Sequence, residues 1–320
     1  MKTLLRLLSP AGPKGRLSVL IFHRVLREPD PLFPGDVDAR RFDEQLGWIK
    51  RLFNVLPLDE AIRRLHAGEL PERAAALTFD DGYADNHDEA LPLLQAHGLP
   101  CSFFIATDFL DGGRMWNDTL IEAIRRCRLP AIDLHGLRGH QGIELGTHSL
   151  QSIQERREAL QVLIPQCKYL QPESRQLLVT AVAARAEVTL PTDLMMSSQQ
   201  VGALYRAGMQ IGGHTGSHPI LASLSAAEAA DEIARGKAKL EEIIGERVTM
   251  FAYPNGKPGE DYLPTRDPGL VKDIGFESAV STAWGAARRE TDVFQLPRFT
   301  PWDRSYKVFG LRMLRNLWQA

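Results

Sequence analysis

Cysteine is scarce in this chain, and what little there is excludes two classes of protein. Its three cysteines, Cys101, Cys127 and Cys167, are an odd number without metal-site spacing, so neither a disulfide framework nor a cysteine-built zinc site is expected. Cys101 opens the apolar run Cys101–Ala106, where a reduced, buried thiol is ordinary. Long hydrophobic runs are also missing: no stretch approaches the roughly 20 apolar residues of a spanning helix. The N-terminal Met1–Pro10 has too short an apolar run for a secretion-signal core, and Arg6 interrupts it, so a cytoplasmic location is expected. Charge of one sign is absent as well. A formal net charge of −2 gives no global basic field to draw the protein to nucleic acid or to an anionic membrane, and no nucleic-acid partner is expected. No internal repeat or low-complexity tract is found.

What is present is the composition of an ordinary globular protein, 44% hydrophobic and 24% charged. The 320 residues exceed a typical domain of roughly 100–200, whereas α/β barrels reach about 250 as one unit. One barrel carrying an insertion fits this length, read as a single domain over residues 1–320. Short apolar runs at Leu17–His23, Ala74–Phe79, Cys101–Thr107, Gln210–Gly213, Val248–Tyr253 and Phe276–Val280 alternate with helical patterns at Phe42–Phe53, Leu58–Leu65, Asn86–His97, Ser197–Ala207, Ala226–Ile244 and Leu270–Ile274. That rhythm predicts an α/β fold, a parallel sheet with crossover helices. It fails between about 111 and 191, where runs such as Gln154–Leu170 and Glu173–Ala186 predict a helical insertion.

Two distant segments carry the chemistry. Thr78-Phe79-Asp80-Asp81-Gly82-Tyr83 supplies a carboxylate pair, and His214-Thr215-Gly216-Ser217-His218 supplies two imidazoles four residues apart. A catalytic zinc site uses three protein ligands of nitrogen and oxygen type and leaves one position open, which Asp81, His214 and His218 would satisfy. Asp80 is then free to take a proton from a water molecule whose pKa the ion lowers from about 16 to about 7. Both segments follow strand-like runs, and in α/β barrels the C-terminal strand ends hold the active site.

At these residues the sequence resembles the NodB-homology polysaccharide deacetylases, a carbohydrate esterase family, and in motif style its poly-N-acetylglucosamine deacetylase branch. The likeness runs from the strand at Leu17 to the stretch around Arg298. It implies a distorted, incomplete (β/α)7 barrel, one divalent ion (zinc, with cobalt, nickel or iron admitted by the same donors) and an N-acetylated carbohydrate substrate. Phe251-Ala252-Tyr253-Pro254-Asn255-Gly256 resembles the family's third motif, so the Asn255 amide would hold the developing oxyanion, and Tyr253, at the end of its strand-like run, is expected to touch substrate. Ala252 stands where the family's arginine usually contacts the catalytic aspartate, and Arg298 is expected to restore that cation. The usual final Leu-x-Leu-His is replaced by Leu296-Pro297-Arg298, and His23, in Phe22-His23-Arg24-Val25, is the substitute for its missing general acid.

Trp116, opening the insertion, is expected to stack on a sugar. Gly146-Thr147-His148-Ser149 mimics the histidine loop but has Ser152 where a second ligand would stand. The Arg/Leu stripe Leu311–Trp318 either docks on the barrel, the favoured reading, or lies on a membrane. The function expected is metal-dependent removal of an N-acetyl group from an amino sugar in an oligosaccharide, glycolipid or polysaccharide precursor. A deformylase or other amidase on the same scaffold, or a weakened carbohydrate-binding protein, are the alternatives. No oligomeric state is indicated.

Overall fold

The structure, a computed structural model, describes residues 1–319. In chain order, α1 (Lys2–Leu8) leads to β1 (Leu17–Phe22), α2 (Ala39–Leu52), β2 (Asn54–Val55), α3 (Leu58–Ala67) and β3 (Ala74–Phe79). A π-helical turn at Asn86–Ala90 opens α4 (Leu91–His97), and β4 (Ser102–Ile105) follows. The next stretch holds α5 (Trp116–Arg126), β5 (Ala131–Asp133), β6 (Thr147–Ser149), α6 (Ile153–Lys168) and α7 (Pro172–Arg185). The β/α rhythm then resumes with α8 (Ser198–Arg206), β7 (Gln210–Gly213), α9 (Ala226–Ile244), β8 (Met250–Ala252), α10 (Asp267–Asp273), β9 (Ser278–Val280), β10 (Arg298–Phe299) and α11 (Tyr306–Trp318).

Local sequence accounts for these elements. In α2, Phe42, Leu46 and Ile49 recur at three- and four-residue spacing and are fully buried, and the Asp38 carboxylate caps the helix by accepting from the Arg41 N–H at 2.9 Å. Ser225 and Glu228 close a reciprocal capping box on α9, and Gly245 ends it in the left-handed conformation at φ 74°. Every residue of β1 and β3 is buried, as strands covered on both faces require.

Seven strands form one parallel path, β10-β1-β3-β4-β7-β8-β9, with β2 added beside β3. A bridge from Val280 to Leu296, two residues before β10, brings the two ends of that path together, giving the distorted (β/α)7 barrel. Alternation along the strands divides two cores. Leu17, Val19, Ala74, Ala76, Ala252 and Val280 belong to one cluster, while Leu20, Phe22, Leu77, Phe79 and Phe103 pack with the helices. The same alternation puts Thr78 and Asp80 in phase with Ala74 and Ala76.

The chain divides into two compact units. The barrel unit comprises residues 1–28, 35–110 and 196–320; the other comprises 29–34 and 111–195. The second unit has its own apolar core, including Leu120, Ile124, Leu160, Leu163 and Val179. It is not purely helical, since β5 and β6 pair antiparallel from Ala131–Ser149 to Asp133–Thr147. Three-residue strands are too short to show a period, which is why the sequence pattern missed them. The outlying piece 29–34 is tied in by Asp30, which accepts from Arg125 at 2.6 and 2.9 Å.

Candidate metal centre

At the end of β3 the backbone turns sharply, with Asp81 at φ 78° and Gly82 at φ 90°. A Cβ on Gly82 would lie 2.9 Å from the Ile105 Cγ2, so glycine is needed there for space as well as for conformation. Asp81 is held in a region that side chains seldom adopt, the kind of backbone strain that clusters at functional sites. The turn sends the two carboxylates to different partners.

Asp80, 2% exposed, meets Arg298 from β10 in a two-pronged pair, Nη1 to Oδ1 and Nη2 to Oδ2, each 2.7 Å. The guanidinium also donates through Nε to the Ser281 carbonyl at 2.9 Å and through Nη1 to the Thr78 hydroxyl at 3.3 Å. That hydroxyl in turn donates to the Leu20 carbonyl at 2.9 Å. Burial opposes ionisation of Asp80, but Arg298 and His214 outweigh it and hold the carboxyl below its ordinary range. A buried, ionised and oriented carboxylate results.

Asp81 faces the histidines. Its Oδ1 lies 3.5 Å from the His214 Nε2 and 3.4 Å from the His218 Nε2, and one donor atom from each of the three residues falls within 4.8 Å of the others. His214 donates from Nδ1 to the Ala252 carbonyl at 2.7 Å, which turns its Nε2 toward the carboxylates. Two tetrahedral ligand atoms about 2.05 Å from an ion stand about 3.3 Å apart. The observed 3.4 and 3.5 Å separations therefore suit an ion between them better than direct hydrogen bonds. Against the cost of burial, His214, His218 and His23 hold Asp81 below the carboxylate range. Burial and the neighbouring His214 push His218 down to about 4, so it presents a neutral ring at physiological pH.

The histidine loop is braced from below. Thr215 (φ 67°) donates to the His214 carbonyl at 2.5 Å and accepts the His218 N–H at 3.0 Å. Glu232 of α9 accepts from the Ser217 N–H at 2.8 Å and from its hydroxyl at 2.9 Å. Gly236, one turn further along, lies so close beneath the loop that a Cβ would sit 2.6 Å from the Thr215 carbonyl oxygen. Sequence reasoning missed Glu232 and Gly236. Their i, i+4 spacing on the helix after the loop was the only signal.

His23 follows β1 directly and is exposed, close enough that its charge helps lower Asp80 and Asp81. Its carbonyl accepts from the Asn86 side chain at 2.9 Å, while Asp85 accepts from the Arg24 Nε at 2.8 Å and the Val25 N–H at 3.1 Å. Asp85, also missed, thus ties the segment after His23 to the acidic turn. Asn255 is exposed in the left-handed region at φ 57°, its carbonyl accepting from the Thr282 hydroxyl at 2.8 Å, and its N–H has no partner among the described residues.

One expectation is corrected. Tyr253 does not reach substrate: it is fully buried, stacked on Tyr262 with ring centroids 3.9 Å apart, and donates its hydroxyl to the Phe294 carbonyl at 3.0 Å. Trp116 is half-buried, packed on the core of its own unit with the Arg175 guanidinium 5.1 Å from the ring centre. His97 pairs with Asp43 and His135 with Asp133.

Known proteins resemble this arrangement along most of the chain. Streptococcus pyogenes deacetylase PplD, solved in complex with acetate, superposes with a TM-score of 0.61 at 17% identity, over 93% of this chain and 98% of that one. IcaB from Ammonifex degensii gives 0.57 at 20%, over 95% and 97%. A de-N-acetylase from Aggregatibacter actinomycetemcomitans gives 0.57 at 16%, over 92% and 99%. YxkH of Bacillus subtilis is 20% identical over 285 residues, 88% of this chain and 70% of that protein. The model of the polysaccharide deacetylase family matches residues 67–161 and 177–267, spanning both the acidic turn and the histidine loop, and the chain belongs to that family.

Proposed function

We propose that the protein is a metal-dependent de-N-acetylase acting on an amino sugar within an oligosaccharide, glycolipid or polysaccharide precursor. One observation carries this reading: a three-donor cluster of Asp81, His214 and His218 stands beside a carboxylate, Asp80, that is buried yet held ionised by Arg298. Asp81, His214 and His218 would hold a divalent ion, zinc on this mixed nitrogen and oxygen set, which would supply a water of pKa about 7 and a Lewis acid for the amide carbonyl.

The residues of the chain divide the remaining work. Asp80 takes the proton from the attacking water, and Arg298 fixes which oxygen faces it. Arg298 fills the place vacated at Ala252, arriving from β10 rather than β8. The unpartnered Asn255 N–H donates to the carbonyl oxygen as charge builds there, an interaction typically worth about 3–4 kcal/mol. His23, at the mouth of the site, gives a proton to the departing amine. The acetate and de-N-acetylase named for the solved relatives support acetyl over formyl as the group removed.

The test is acetate release, followed by mass spectrometry, from a panel of N-acetylated oligosaccharides and lipid-linked sugars, on protein stripped with a chelator and reloaded with single metals. Release that depends on added metal supports the reading. Formate release from N-formyl sugars with no acetate from the panel would replace it by a deformylase.

A further inference from the structure

The helices nearest the two chain ends share a surface that the barrel does not use. α1 and α11 lie side by side: Met1 sits against Gly310, where a Cβ would come within 2.6 Å of the methionine methyl carbon, and Arg16 donates to the Leu317 carbonyl. Leu5, Phe309, Met313 and Leu317 of these helices join the outer barrel core, as the docking reading of the stripe expected. Their opposite faces stay open.

Along α11 the exposed residues Lys307, Val308, Leu311, Arg315 and Trp318 recur at helical spacing, with Leu311 61% and Trp318 75% exposed. On α1, Leu7 is 72% exposed beside Arg6. Trp302, 64% exposed, borders the patch, its ring 5.2 Å from the Arg312 guanidinium.

Charge separates this face from the rest of the protein. Residues 1–8 and 302–318 contain six Lys and Arg and one acid, Asp303, which is buried and paired with Arg312 at 2.9 Å. These segments carry +5 in a chain of net −2, which leaves −7 on the remaining residues. Arg6 is paired with Glu72 at 3.0 Å and is still 69% exposed, while Lys2, Lys307 and Arg315 have no ion-pair partner among the described residues.

Leucines interleaved with cations and bordered by tryptophans suit one solvent boundary in particular. Apolar side chains enter the acyl region, cationic heads on flexible stems stay with the phosphates, and indoles sit at headgroup level. We propose that the α1/α11 face rests on an anionic phospholipid bilayer. No described helix is long and apolar enough to cross one, so the contact is peripheral. A second copy of the chain is disfavoured as the occupant, because two such faces would oppose like charges.

The test is co-sedimentation of the full chain with phosphatidylcholine vesicles with and without phosphatidylglycerol. Binding should rise about tenfold or more with the anionic lipid and weaken as salt is raised. Leu7→Asp/Leu311→Asp should lower it about tenfold with circular dichroism and thermal midpoint unchanged, and the milder Lys307→Gln/Arg315→Gln should remove the lipid preference. Equal sedimentation with and without phosphatidylglycerol, or parent-like binding by both variants, would overturn the proposal. So would a soluble dimer that the leucine substitutions split in sedimentation velocity, since the face would then be a self-interface.

Discussion

Two segments of this chain read almost alike and are used differently. Gly213-His214-Thr215-Gly216-Ser217-His218 runs on from the last residue of β7; Gly146-Thr147-His148-Ser149 is all of β6 with the residue before it. In the first, the Nδ1 of His214 is fixed on a strand carbonyl and its Nε2 faces a carboxylate. In the second, the Nε2 of His148 is spent on the Leu145 carbonyl at 2.8 Å, and Ser152, at the place of a second ligand, accepts the Glu155 N–H as the cap of α6. Thr215 ties its loop into a ring of hydrogen bonds, whereas Thr147 bonds outward to Asp133 at 3.4 Å. Donor residues alone do not make a metal site. What counts is which ring nitrogen the backbone occupies and what stands opposite the other.

The sharpest way to break the comparison is to remove ligands from both segments. Asp81→Ala/His218→Ala should lower metal affinity by more than about 100-fold and bring deacetylation to background, while His148→Ala leaves both unchanged. Metal analysis of the purified variants decides, and full metal content in the double variant sinks the assignment.

Next in size is the separation of base from ligand within the acidic turn. Asp80→Asn keeps shape without basicity, so kcat should fall by about 10²–10⁴-fold at unchanged metal content. Should that variant lose the metal while Asp81→Asn retains it, the two roles exchange.

Arg298→Met leaves Asp80 buried without its partner, at a cost of about 3–5 kcal/mol in stability. The sign of the accompanying pH effect is fixed. Arg298 depresses the Asp80 pKa against burial, so its loss raises that pKa and moves the acid limb of the kcat/KM profile to higher pH. An acid limb that stays in place would show that Asp80 ionises without help from β10.

The smallest expected effect is also the most selective. His23→Gln should cost about 100-fold on an N-acetyl amide but little on an activated acetate ester, whose phenol-type leaving group departs without a proton. Equal losses on both substrates return His23 to an ordinary rim residue.

The barrel and the heart of the site were legible because their signals are local. A strand buried on both faces writes a continuous apolar run, and a metal donor set writes residue type and spacing. Arg298 could be read because β10 offers a cation in the same motif that lacks the family's histidine. Tyr253 was misread because a position at a strand end does not say which way the side chain points, and here it turns into the Tyr262 stack. Asp85 and Glu232 carry no local mark. Each acts on a segment distant in sequence or across a loop, Asp85 on Arg24 and Val25, Glu232 on Ser217, and only tertiary structure brings them there. Residues 29–34 join the second unit for the same reason, through Asp30 and Arg125.

Arg298 touches three strand ends at once: it belongs to β10, donates to the carbonyl that follows β9, and grips the carboxylate that follows β3. Its own N–H donates to the Ala283 carbonyl at 2.9 Å, across the place where the two ends of the strand path meet. The side chain that keeps Asp80 ionised is therefore also a latch on the barrel's seam. On the proposed role of Asp80 as base, opening the seam would take the guanidinium from Asp80, burial would favour the protonated acid, and turnover should stop before the sheet comes apart. Activity would then report closure of the barrel, and during gradual denaturation it should vanish ahead of the helical signal.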